Sequence, residues 1–182
     1  MKNSLRLFTI LSAVLTISAI AQTTEKKAAL RNVAEKPARY VTMIPHGGLN
    51  GSSTTVGERQ IFTIMDTNGG ELSDGDDVLI KYVTPDEKET SYWQEKGEVI
   101  SRDRKAVDSA HFKVKKTDAG ISLRTASGKF VAIKGKTDPL GVTDAADKAA
   151  VFEVVENPAM TPQKESKEPA KEEPKKTDET KE

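Results

Sequence analysis

The sequence predicts an all-β domain, because short runs of alternating apolar and polar residues recur along its middle and a helical period does not. These runs are bounded by glycine, proline, asparagine or aspartate about every 8–12 residues, as in sandwiches and barrels. Residues 121–135, ISLRTASGKFVAIKG, show the pattern: two alternating stretches flank a Ser127-Gly128 turn. One hairpin cannot bury enough surface to fold alone, so we expect it to pack against further strands.

A spacing of apolar residues that recurs three times predicts how the strands are arranged. Each unit opens with two aliphatic residues two positions apart, continues with an aromatic residue and a further aliphatic residue, and closes with a phenylalanine. The sets are Ala28, Leu30, Tyr40, Leu49 and Phe62; Val78, Ile80, Tyr92, Trp93, Val99 and Phe112; and Ile121, Leu123, Phe130, Leu140 and Phe152. We therefore predict a β-trefoil with pseudo-threefold symmetry: three repeats of about four short strands, in which six strands form a barrel and three hairpins cap one end. An immunoglobulin-like sandwich is the alternative, and it would not require a threefold repeat.

The two ends of the chain differ in composition from this middle part. Lys2 and Arg6 precede about 14 mostly apolar residues and a small-residue site at Ala19-Ile20-Ala21, which is typical of a signal peptide. The apolar run is shorter than the roughly 20 residues of a membrane span. We predict a signal peptide over residues 1–21, a folded domain over 25–157, and a secreted or periplasmic location after cleavage near Ala21.

Residues 158–182 are predicted to be a disordered tail, because prolines recur among lysines and glutamates and apolar side chains are almost absent. We interpret the tail as a soluble spacer; a tail that recruits a partner by charge is the alternative. The chain has 28 basic and 28 acidic residues, and loss of the two basic residues of the signal leaves a charge of about −2. This balance, with its signs interspersed, argues against a nucleic-acid partner.

The third unit carries a resemblance to a known family. The stretch GISLRTASGKFVAIKG, followed by LGVTDAADKAAVFEVVE, resembles the repeat of the fascin-like β-trefoil family, and residues 61–82 are similar to the linker between the first two units. The resemblance implies the β-trefoil fold. For function it implies either a carbohydrate-binding module, as in secreted bacterial proteins, or an actin-bundling type of protein interaction.

Few residues could carry catalysis or bind a metal. Cysteine is absent and the two histidines are His46, in a Gly-rich loop without a nucleophile elbow, and His111, which we expect at the surface. The acidic stretch from Asp66 to Asp77 departs from a calcium loop, because it lacks the central glycine and the closing glutamate; turn chemistry explains the same residues. We predict no enzymatic activity, no metal and no cofactor.

A ligand site is predicted in the second unit, where the aromatic position is doubled as Tyr92-Trp93. Neighbouring strand residues face opposite sides of a sheet, so one ring should face the core and the other should face outward, where the other two units carry a smaller residue. An outward ring is a platform for a sugar. We therefore predict a monomeric carbohydrate-binding module with Trp93 or Tyr92 as its anchor, and a polysaccharide, a glycan or an envelope protein as its partner. A filament-crosslinking module and a secreted protein inhibitor are the alternatives.

Overall fold

The computed structural model describes residues 23–45 and 48–160. These residues form a 12-stranded antiparallel sheet, which confirms the all-β class. The strands are β1 Thr24–Asn32, β2 Arg39–Met43, β3 Leu49–Ser53, β4 Phe62–Asp66, β5 Asp77–Val83, β6 Thr90–Lys96, β7 Val99–Asp103, β8 His111–Thr117, β9 Gly120–Thr125, β10 Phe130–Ile133, β11 Leu140–Thr143 and β12 Phe152–Glu156. Short 3₁₀ turns at Glu58–Gln60, Asp108–Ala110 and Ala146–Lys148 precede β4, β8 and β12.

The predicted β-trefoil with three equivalent repeats is wrong. Strand pairing closes a barrel of 9 antiparallel strands, in the order β1, β4, β5, β6, β7, β11, β10, β9, β12 and back to β1. The 3 remaining strands are additions to it. Of these, β8 pairs with both β5 and β9, and β2 and β3 form a hairpin attached to β1.

The three hairpins β2–β3, β6–β7 and β10–β11 differ in how they pair with the other strands. This difference is why the repeated apolar spacing did not predict the strand pairing. The β10–β11 ladder is uninterrupted, and β11 continues to β7 through a pair between Gly141 and Val99. Gly141 has no Cβ, so the carbonyl oxygen of Glu98 can approach it closely. The β2–β3 ladder contains a register shift, and this hairpin is bridged to the other hairpins at the isolated pairs Gly48–Ser101 and Asn50–Pro139. Repeated apolar spacing therefore indicates which residues are buried but does not fix how strands pair.

The second unit also departs from the predicted spacing at its aliphatic residue. Leu49 and Leu140 are fully buried, as expected, whereas Val99 is 37% exposed and its neighbour Ile100 is 1% exposed. Alternation along β7 directs Ile100, rather than Val99, to the core.

The core is built around the three phenylalanines of the repeated spacing. Phe62, Phe112 and Phe152 are at most 1% exposed and belong to a single cluster of buried apolar residues. Trp93 joins this cluster and packs edge-to-face on Phe62, with ring centroids 5.1 Å apart. The ring centroid of Tyr82 lies 6.0 Å from that of Phe62, so Phe62 of β4 packs with aromatic rings from both β5 and β6.

The turn between β8 and β9 shows how one glycine allows close packing against the barrel. Gly120 has a φ of 150°, and a Cβ at this position would lie 2.2 Å from the carbonyl oxygen of Phe152. The next residue, Ile121, pairs with Phe152 in β12. Only glycine therefore lets β9 start directly against β12.

The predicted signal peptide and the charged tail lie outside the described residues, apart from residues 158–160, and so does His46. Within the described ranges, no helix has the length and apolar character needed to cross a membrane.

Candidate functional site

The two aromatic residues that the sequence singled out lie on opposite faces of β6. Trp93 is fully buried, whereas Tyr92 is half-buried. Alternation along the strand is the cause, because Trp93 points toward the Phe62 ring and its neighbour must point away from it. Trp93 therefore offers no exposed ring face, and Tyr92 is the member of the pair that can contact a ligand.

Outward aromatic rings also occur at the corresponding positions of the other two units. Tyr40 in β2 and Phe130 in β10 are half-buried like Tyr92, and each is followed by a fully buried valine, Val41 or Val131. The expectation that the first and third units present a smaller outward residue is therefore wrong. What distinguishes the second unit is the buried position, where Trp93 replaces a valine.

A polar groove of about 460 Å³ lies along the β6–β7 hairpin and distinguishes the surroundings of Tyr92. Tyr92 follows Ser91 in β6 and is paired with Asp103 in β7, and both of these neighbours line the groove. We call this feature the β6–β7 groove. Its lining comprises three cationic side chains (Lys96, Arg102 and Arg104), two acidic side chains (Glu89 and Asp103) and three hydroxyl side chains (Thr90, Ser91 and Ser101).

Both acidic side chains of the β6–β7 groove are held by cations of the same groove. Lys96 Nζ lies 3.1 Å from Asp103 Oδ2, and Arg104 donates to Glu89 at 2.8 Å. The hydrogen bond from Lys96 lowers the pKa of Asp103, as does the bond from the Lys105 backbone amide, so Asp103 is ionised at neutral pH. The groove thus presents donors and acceptors of both charges, which suit hydroxyl-rich or charged ligands.

Sequence reasoning missed most of this groove. Ser101, Arg102, Asp103 and Arg104 form a polar run at the end of β7 that matches no catalytic or binding motif. A polar run after a strand is ordinary at a protein surface, and only the pairing of β7 with β6 brings it beside Ser91 and Tyr92. The doubled aromatic Tyr92-Trp93 was the one signal that pointed to this hairpin.

The other sequence candidates have structural partners. In the acidic stretch, Asp74 accepts hydrogen bonds from the Lys116 amide and Lys115, and these bonds lower its pKa. Asp77 accepts from His111 Nδ1 at 2.6 Å and from Lys113 at 3.0 Å. Within residues 23–45 and 48–160, no three His, Asp or Glu side chains are grouped so that they could hold a metal ion.

A larger groove of about 600 Å³ lies between the β8–β9 turn and β12. Its only aromatic lining residue is Phe152, which is fully buried, so no ring face is available there for stacking. A third groove of about 310 Å³ is lined in part by Met160. Of these three grooves, the β6–β7 groove is the one with a lining residue, Ser91, that is followed in its strand by a half-buried outward aromatic residue, Tyr92.

No protein-family model matches this chain, and no curated protein is significantly similar to it.

Proposed function

We propose that this protein is a secreted, non-enzymatic binding module for carbohydrate, and that the β6–β7 groove is its ligand site with Tyr92 at the edge. The observation that carries the proposal is the position of the half-buried Tyr92, which does not itself line the polar groove but has two neighbours, Ser91 and Asp103, that do. An aromatic ring with an apolar face and a hydroxyl group suits a sugar, which has apolar C–H faces and polar edges.

The arrangement of side chains also supports binding rather than catalysis. The groove's acidic groups Asp103 and Glu89 are both in ion pairs, and the hydrogen bond from Lys96 keeps the pKa of Asp103 low. A general acid needs a raised pKa near neutrality, which is the opposite direction. The charged side chains of the groove are therefore suited to binding a ligand through hydrogen bonds.

The proposal is tested with a glycan array probed with the chain from residue 22 onward, followed by titration of the glycans that bind. We expect Tyr92→Ala to weaken binding about tenfold or more, equivalent to about 1.4 kcal/mol. Tyr40→Ala and Phe130→Ala are matched controls, because each removes a half-buried outward ring at the corresponding position. We expect both controls to bind like the parent chain.

Circular dichroism and thermal unfolding would establish that each variant is folded. Unchanged affinity in a folded Tyr92→Ala variant would contradict the site. If the intact chain binds no glycan but retains a protein from native envelope extracts, the protein-interaction alternative replaces carbohydrate binding.

A further inference from the structure

Two asparagines of the chain are followed by glycine, and their surroundings differ. Asn50-Gly51 lies in β3, where Asn50 is 6% exposed, whereas Asn68-Gly69 lies in the loop between β4 and β5, where the Asn68 side chain is exposed. Asparagine is chemically labile when glycine follows it, because the glycine has no side chain to hinder attack of its backbone nitrogen on the asparagine amide carbon. The fold therefore decides which of the two sites can react.

The strand β3 protects Asn50 from this reaction. Asn50 pairs with Thr42 in the β2–β3 ladder, and its Oδ1 accepts a hydrogen bond from Ser52 Oγ at 2.8 Å. Gly51 is buried as well, and a Cβ on it would lie 3.0 Å from the Ile133 side chain. Ring closure needs a rotation around the Cα–C bond of the asparagine, which in a packed strand requires that the strand first opens.

Asn68 meets fewer restraints in its loop. Its side chain donates one hydrogen bond, from Nδ2 to Asp76 Oδ1 at 3.2 Å, and this bond is exposed to solvent. Gly69 has a φ of 77°, and its backbone amide is the donor of no hydrogen bond among the described residues. The rotation that brings the Gly69 nitrogen to the Asn68 amide carbon therefore breaks no strand pairing.

We propose that Asn68 is a site of spontaneous deamidation, which adds a negative charge to the loop between β4 and β5. The Gly69 backbone nitrogen attacks Cγ of Asn68, so that a Cγ–N bond forms and the Cγ–Nδ2 bond breaks. The proton of the Gly69 amide leaves with the amide group as ammonia. One water molecule then opens the resulting succinimide ring at either carbonyl, which gives aspartate or isoaspartate.

Either product changes how the loop is held. The stretch from Asp66 to Asp77 already has five acidic side chains, and a new carboxylate in place of the Asn68 amide would face Asp76 as a like charge. Isoaspartate also lengthens the backbone just before Gly70, whose amide donates to Thr24 Oγ1 of β1 at 3.1 Å. We therefore expect deamidation to loosen the attachment of this loop to the barrel.

The test is peptide mapping by mass spectrometry of the full chain after incubation at mildly alkaline pH, with isoaspartate and aspartate separated by chromatography. We expect Asn68 to convert at least about tenfold faster than Asn50, because a strand opening that costs about 1.4 kcal/mol already slows Asn50 by that factor. Both products should appear at Asn68. In concentrated guanidinium chloride the two sites should convert at similar rates, since the same dipeptide then has the same freedom at both.

Two variants complete the test. Asn68→Gln keeps an amide group but would have to close a larger ring, so it should yield no product at this site. Asn68→Asp should unfold at a lower temperature than the parent chain, as the incubated parent chain should. Asn50 reacting as fast as Asn68 in the folded chain, or a product at Asn68 without isoaspartate, would overturn the proposed site. An Asn68→Asp variant as stable as the parent chain would overturn the proposed loosening.

Discussion

The β6–β7 and β10–β11 hairpins belong to the same barrel but differ on both of their faces. On the inner face, β6 carries Trp93 where β10 carries Val131, and both are fully buried. On the outer face, the half-buried Tyr92 lies beside the polar groove, whereas the guanidinium of Arg124 lies over the ring of Phe130, 5.7 Å from its centroid.

This difference is the reason for placing the proposed ligand site at the β6–β7 hairpin rather than at the β10–β11 hairpin. The ring of Phe130 already has a cation from its own chain over one face. The Tyr92 ring has no such cation within the described residues, and the larger inner side chain Trp93 fixes its strand against Phe62. A rigid strand is a suitable base for a ligand site, because the outer side chains can then vary without disturbing the core.

The largest effect that would test this comparison is expected at the inner face. Trp93→Ala should lower the free energy of unfolding by about 3–5 kcal/mol, because it removes a large side chain from a closed core and leaves a cavity. Val131→Ala should cost only about 2 kcal/mol, since fewer buried methyl groups are lost. Urea-induced unfolding at neutral pH measures both values. Equal costs would show that the two hairpins are anchored alike and would remove the structural basis of the comparison.

A smaller effect is expected at two turn glycines that both have a positive φ but differ in their surroundings. Gly97, in the turn of the β6–β7 hairpin, has a φ of 62° and open space around the position of a Cβ. Gly97→Ala should therefore cost only the strain of a positive φ, about 1 kcal/mol.

Gly120→Ala adds a collision with the Phe152 carbonyl oxygen, so we expect a total cost of roughly 2–4 kcal/mol. The same urea titration compares the two variants. If Gly97→Ala proved the more destabilising, the β6–β7 turn would carry a constraint that its open surroundings do not explain.

The burial of the core was largely predictable from the sequence. Ala28, Leu30, Phe62, Phe112 and Phe152 were assigned to the core by alternation and spacing, and all five are fully buried or nearly so. Burial was predictable because strand alternation is a local property. Val99 shows that membership of the repeated spacing is not sufficient for burial, because it is 37% exposed while its neighbour Ile100 is buried.

The pairing of strands and the groove were not predictable in the same way. The contact of β7 with β11 includes Gly141, where a Cβ would lie 3.3 Å from the Glu98 carbonyl oxygen, and this proximity is set by tertiary structure. Arg102 and Ser91 are separated by 10 intervening residues and become neighbours only through the register of β6 with β7. The sequence predicted that one of Tyr92 and Trp93 faces outward, but it did not predict which one or that its surroundings are polar.

The two hairpins are also linked to each other by polar contacts at their ends. Ser127 Oγ, in the turn before β10, donates to Glu95 Oε1 at 2.8 Å, and Lys129 Nζ lies 3.1 Å from Glu98 Oε1. The hydrogen bond from Lys129 to Glu98 raises the pKa of the lysine above its ordinary value of 10.5. This pair therefore stabilises the folded chain at neutral pH, when the lysine is charged.

The smallest effect is expected from removing this link, and its pH dependence has a defined sign. A raised pKa in the folded state gives a stability contribution that is fully present below pH 10.5 and is lost as the pH rises through the higher folded value. Lys129→Met should therefore unfold at a lower temperature than the parent chain at neutral pH, and this difference should shrink above pH 10.5. The control is Lys136→Met, an exposed lysine in the loop between β10 and β11, which should show no such trend. Thermal unfolding followed by circular dichroism at a series of pH values would measure the difference in unfolding temperature between each variant and the parent chain. If the difference in unfolding temperature stayed constant into strong alkali, Lys129 would act through packing of its aliphatic chain. The hydrogen bond between Ser127 and Glu95 would then link the hairpins without a contribution from the Lys129–Glu98 ion pair.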